Sequence, residues 1–292
     1  MAWVAFILLP LGFVANVCLI YHFLVYDFKW KNMHILTFNL ATSDLLQIIA
    51  TAIAIAMRKI LKNDIEFIME VSTQWFISVS IFHIFLLAAE RLLSIKAPFW
   101  AQTNLSKHRT TIAGAFVWVG QAFIHSAGIL VLIYCTHEKK WEERIYDSMY
   151  VFSWNSLIMS GGILLLHSYV TFILINQSRH QKRRLKKELS TFIYCTAIAL
   201  AFVTTHCPFN VSMVRDGYGR EKLPKTENIL ILINYILNPL LYLAKELVDR
   251  KQKQPRAALI EEDSDGTYHC GINLPGITNR RGRRERLISQ SH

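Results

Sequence analysis

Asp44 stands in the middle of an apolar stretch, within Asn39-Leu40-Ala41-Thr42-Ser43-Asp44, with no Lys or Arg beside it. A carboxylate so placed either takes up a proton or holds a cation, because burying it charged and unpaired costs too much. Glu90 and Arg91 close another apolar stretch. As adjacent opposite charges they read equally as an interfacial salt bridge and as a functional pair. Pro208 and Pro239 interrupt two further stretches and remove backbone hydrogen bonds there, which kinks a helix; Gly161-Gly162 loosens another. The five cysteines show no metal-ligand spacing or disulfide framework, and three lie inside apolar runs as small buried side chains. No nucleophile–base pair appears either, so no catalytic activity is expected.

The elements that must carry these residues are long apolar runs near 2–25, 34–57, 67–95, 110–134, 148–176, 189–214 and 226–243. A membrane helix needs roughly 20 mainly apolar residues. The chain is 52% hydrophobic and 18% charged, against about 25% charged in soluble domains. Runs this continuous exclude the alternation of barrel strands, so the expected fold is an all-α seven-span bundle occupying 1–243. Residues 244–292 are expected to be cytoplasmic, with a short amphipathic helix near 245–253 and a disordered tail. The first run is too long for a signal peptide and is expected to be the first span, with no extracellular domain before it.

Charge sets the expected sidedness. The connectors after spans 1, 3 and 5 carry eleven Lys/Arg against Asp27 and Glu188. Those after spans 2, 4 and 6, with the adjoining span ends, balance to zero. The odd connectors and the tail are therefore expected to be cytoplasmic and the N-terminus outside. The net charge of +11 is a topology signal spread over loops and does not indicate a nucleic-acid partner.

Taken in order, the spans carry a set of motifs. Span 1 has Gly12-Phe13-Val14-Ala15-Asn16, span 2 has Leu40-Ala41-Thr42-Ser43-Asp44, and span 3 ends Glu90-Arg91-Leu92-Leu93-Ser94-Ile95-Lys96-Ala97-Pro98-Phe99. Span 4 has Trp118 and span 5 has Tyr169. Span 6 has Phe202-Val203-Thr204-Thr205-His206-Cys207-Pro208, and span 7 has Asn234-Tyr235-Ile236-Leu237-Asn238-Pro239-Leu240-Leu241-Tyr242. One motif per span, in order, resembles the rhodopsin-like (class A) G-protein-coupled receptors, here an orphan-like subtype.

The resemblance implies a multi-pass plasma-membrane receptor that activates a heterotrimeric G protein. Arg91 would pair with Glu90 at rest and be freed as span 6 swings outward, with Tyr169 and Tyr242 then approaching it. Phe202 would be a packing switch beneath the ligand pocket. His206 stands where the family usually has tryptophan, and reads as a packed histidine or a pH-sensitive switch. Asp44, Ser80, Asn234 and Asn238 fall where the family binds an allosteric sodium ion, and oxygen ligands suit a hard cation. A water-filled polar network is the competing reading. Other departures are Leu92 for tyrosine, Gly161 for proline, and Glu66 where a disulfide cysteine would stand. That leaves Cys135 without an evident partner.

By family position the extracellular ligand would meet Thr73, Ile77, Trp154, Phe209, Asn210, Met213 and Asn228, between spans 3, 5, 6 and 7. Thr73 and Leu232 replace the amine-binding aspartate and the retinal lysine, so neither ligand class is supported. Glu66 and Glu70 share a helix face near the span-3 mouth and read as rim charges or contacts for a cationic ligand. The basic run from Arg179 to Lys187 would face anionic lipid and the G protein. Ser264, Thr267, Thr278, Ser289 and Ser291 would, if phosphorylated, dock arrestin. The alternatives are a receptor-like protein that does not signal, acting as scaffold or dimer partner, and a transporter. A transporter would want an internal repeat and charges in several spans, which are not found.

Overall fold

In lipid a peptide group has no water to bond, so each apolar run must close its hydrogen bonds within itself. The computed structural model describes residues 2–25, 32–57, 63–135, 141–178, 182–216 and 225–261. They form α1 (Ala2–Val25), α2 (Asn32–Met57), α3 (Asn63–Lys96), α4 (Pro98–Asn104), α5 (Lys107–Cys135), α6 (Trp141–Ser178), α7 (Lys182–Asp216) and α8 (Lys225–Glu261). Among the described residues there is no strand, and every helix but α4 is long and apolar enough to cross a membrane. The fold is an all-α seven-helix bundle.

Several helices run further than apolarity alone indicated. α6 starts at Trp141 rather than near 148 and α7 at Lys182 rather than near 189. Charged residues past the apolar core extend a helix as readily as apolar ones, since Glu, Lys and Arg are good helix formers. The short α4 was not anticipated. Pro98 lies in its first turn, where the missing N–H would be unsatisfied anyway. The Asn32 amide donates to the Leu105 carbonyl at 2.7 Å, fastening the end of α4 to the start of α2.

The chain divides into two units, Met1–Glu246 and Leu247–His292, the second helical as far as Glu261. The tail sites Ser264 to Ser291 lie outside the described residues. So do Arg179 and the side chains of the remaining basic run, of Glu66, Glu70 and Asn228, and of Cys135.

Within the first unit α3 is the most deeply buried span and packs against α2, α5, α6 and α7. The core joins Leu19 and Phe23 of α1, Leu36 and Leu40 of α2, Ile81 and Leu87 of α3, Phe202 of α7 and Tyr242 of α8. Large apolar side chains also cover the perimeter, among them Phe116, Phe123 and Leu130 of α5, seven residues apart on one face. Polar groups instead concentrate inside, at Asn16, Ser43, Asp44, Ser80, Asn234 and Asn238. Apolar outside and polar inside is the distribution that lipid as solvent selects.

Candidate activation switch and buried polar network

Asp44 is fully buried and held from two directions. Ser80 of α3 donates to one carboxylate oxygen at 2.8 Å, and the Asn238 amide of α8 donates to the other at 2.9 Å. Ser43 Oγ lies 2.7 Å from Ser80 Oγ and 2.8 Å from the Leu40 carbonyl, and its single proton serves one of the two at a time. Three helices therefore meet on one carboxylate. The amide oxygens of Asn16, Asn234 and Asn238 are also buried and make no hydrogen bond among the described residues. A carboxylate, two hydroxyls and amide oxygens still able to accept form a set that fits a hard cation.

Pro239 sits one residue beyond Asn238 and has no N–H to reach the Tyr235 carbonyl, its partner four residues back. The Asn16 amide supplies that bond at 2.9 Å, while also donating to Gly12 of its own helix. Gly12 permits the approach, because a Cβ there would lie 3.1 Å from the Tyr235 Cβ. Asn16 was visible in the sequence only as part of a motif; the signal for its role was the proline four residues beyond Tyr235.

At the other end of α3, both Arg91 Nε and Nη2 donate to the Glu90 carboxylate, and Ser94 donates to it as well at 3.2 Å. Both side chains are largely buried. Leu92 packs onto Ile95, Val170, Leu174 and Phe192, a small core joining α3, α6 and α7. A leucine at this position therefore binds three helices together where a tyrosine hydroxyl would need a polar partner.

Both tyrosines pack on named neighbours. Tyr242 is buried, its ring 4.9 Å from Phe23 and 5.8 Å from Tyr194. Tyr169 is half exposed and accepts a hydrogen bond from Lys96 at 3.1 Å, with the Lys96 ammonium also over its ring. Phe202 is fully buried and stacks on His206, centroids 4.1 Å apart and planes 15° apart, as residues four apart on a helix face can. His206 Nδ1 lies 3.3 Å from the Phe202 carbonyl and 3.1 Å from the Thr205 hydroxyl. Pro208 lies in α7 one turn above the Thr204 carbonyl it leaves unbonded. Trp118 donates to Asn39 at 3.0 Å across α5 and α2.

Among the residues expected to line a ligand pocket, Ile77, Asn210 and Met213 are buried, and Thr73 and Phe209 are partly so. Asn210 donates to Ser156 at 2.8 Å. Trp154 is 46% exposed, on the stripe it shares with Ile158, Leu165 and Phe172, while Ser153 and Ser156 are buried. Two cavities lie between α3, α5 and α6, apart from these residues.

Residues 15–242, from the first span to Tyr242, match the family described as 7 transmembrane receptor (rhodopsin family). The chain belongs to that family. This seven-transmembrane receptor is accordingly a multi-pass membrane protein, and the paired Glu90–Arg91 and the Asp44 network lie within the matched region. No characterised protein matches the receptor's sequence closely enough to count as a relative.

Proposed function

We propose that this receptor converts an extracellular ligand signal into activation of a heterotrimeric G protein at the plasma membrane, with its N-terminus outside and its C-terminus in the cytoplasm. The observation that carries the reading is the Arg91 guanidinium, held on two nitrogens by Glu90 at the end of the most buried helix. A bidentate charge-assisted pair is strong and directional, so it makes a latch with two states, closed on Glu90 or released to a partner. Family membership supports coupling to a G protein as the partner. In the released state Tyr169 leaves Lys96 and Tyr242 leaves its packing on Phe23 to approach Arg91, and Phe202 repacks as α7 moves outward.

Sodium is the proposed allosteric ion, held by Asp44 and Ser80 with Asn234 and Asn238. The buried amide oxygens without partners support this over a purely internal network. Ligand contact is proposed at Thr73, Ile77, Trp154, Phe209, Asn210, Met213 and Asn228, and arrestin docking at the phosphorylated tail. The decisive experiment measures ligand-independent activation of each G-protein class in cells, comparing wild type and Arg91→Ala at matched surface level. Activity lost in the variant supports the reading. Wild-type activity that survives unchanged in Arg91→Ala overturns the latch mechanism.

A further inference from the structure

A cavity of about 360 Å³ lies between α3, α5 and α6, within the size range of small-molecule sites. Its α3 lining runs from Val71 to Phe82, so it begins at least nine residues, roughly 13 Å of helix, from Arg91. A smaller cavity of about 210 Å³ shares Val71, His125 and Ile129 with it. Neither belongs to the latch or to the Asp44 network.

The polar lining consists of Gln74, Gln121, His125 and Asn155, and the described lining contains no Asp, Glu, Lys or Arg. His125 is fixed by a 3.0 Å hydrogen bond with Ser78. Gln121 lines the cavity and is only 4% exposed to solvent. A primary amide both donates and accepts, so a ligand hydroxyl, which does the same, can pair with it. The rest of the lining is apolar, including Phe82, Ile124, Val151 and Phe152.

The mouth is on the perimeter. Ile124 of α5 and Val151 of α6 line the cavity yet are 58% and 67% exposed. They adjoin Phe123 and Ile158, which belong to the apolar outer faces of their helices. The approach is therefore through lipid, and a charged molecule arriving that way would find no countercharge in the lining.

We propose that this cleft binds an uncharged lipophilic molecule from the bilayer, with a hydroxyl-bearing head on Gln121 and its hydrocarbon body against Phe82, Ile124, Val151 and Phe152. The site stands independently of G-protein coupling, since its test reads binding alone.

Full-length receptor in lipid nanodiscs is photolabelled with a diazirine-bearing long-chain monoacylglycerol. The fatty acid and alkylamine of the same chain length, each with the same diazirine, are run in parallel. Labelled residues are mapped by mass spectrometry and competed with unlabelled monoacylglycerol. Saturable labelling within 71–82, 121–129 and 151–155 by the neutral probe, at least tenfold stronger than by either charged probe, supports the proposal. Gly128 lines the cavity, and a Cβ built there meets nothing within 4 Å. Gly128→Phe should fill the cleft and abolish labelling, while Gly128→Ala labels as wild type. Gln121→Leu, made in parallel in case the larger substitution disturbs folding, should weaken the neutral probe at least tenfold. Equal labelling by the charged probes, no saturable labelling in these segments, or unchanged affinity in Gln121→Leu overturns the proposal.

Discussion

The side-chain amide of Asn16 in α1 donates at 2.9 Å to the backbone carbonyl of Tyr235 in α8. That carbonyl is the one Pro239 leaves without its helical donor. A side chain on one span thus completes the backbone of another, where lipid offers no donor. Asn16→Leu is expected to destabilise the receptor by about 1–2 kcal/mol, the scale of an interhelical bond whose loss leaves a buried acceptor. Pro239→Ala returns an N–H to Tyr235. The loss caused by Asn16→Leu should therefore be smaller in the Pro239→Ala background. Thermal unfolding of the four proteins in detergent measures this coupling, and strictly additive effects would show that the bond contributes nothing of its own.

Gly12 belongs to the same contact but acts through size. An added Cβ would come within 3.1 Å of the Tyr235 Cβ and 3.2 Å of the Ile48 Cδ1. The isoleucine terminus can swing away; the tyrosine Cβ is fixed to its backbone and cannot. Gly12→Val should therefore cost about 1–3 kcal/mol by overpacking. Gly120 meets nothing within 4 Å, so Gly120→Ala should be neutral or stabilising by up to about 1 kcal/mol through helix propensity. Parallel melting curves decide, and equal shifts for the two positions would contradict the packing argument.

Asp44 offers a test of cation binding that needs no ligand. If sodium binds the folded receptor alone, tenfold excess over its Kd stabilises by about 1.4 kcal/mol. Replacing sodium by choline at constant ionic strength should then lower Tm by a few degrees in wild type and not in Asp44→Asn, which keeps the shape but loses the charge. An equal sodium response in both proteins would exclude Asp44 as a ligand.

The spans were legible because lipid leaves a helix little alternative over twenty apolar residues, and because Asp44, Arg91 and Pro239 are conspicuous within such runs. Their ends were not, since Trp141 to Asp147 extend α6 in residues as polar as any loop. Facing was harder still. Trp154 is half exposed while Ser153, Ser156 and Ser160 are buried, and α6 carries little periodic signal to say which way it turns. The cavity beside Gln121 depends on the mutual rotation of three helices, which no single run encodes. Tyr169 was identified by type, but its bond to Lys96 joins α6 to the end of α3 and depends on how those helices pack.

Glu90 holds Arg91 through both oxygens, so weakening the pair should favour the released form. Glu90→Gln keeps the shape and one acceptor but loses the charge, and charge-assisted bonds are roughly twice as strong as neutral ones. A loss of about 1 kcal/mol raises the released population about fivefold while that population is small. Ligand-independent G-protein activation should therefore rise several-fold in Glu90→Gln at matched surface level. It should vanish again in Glu90→Gln/Arg91→Ala, because releasing an absent guanidinium achieves nothing. Basal activity that falls in Glu90→Gln would mean that Glu90 supports the active form and does not restrain it.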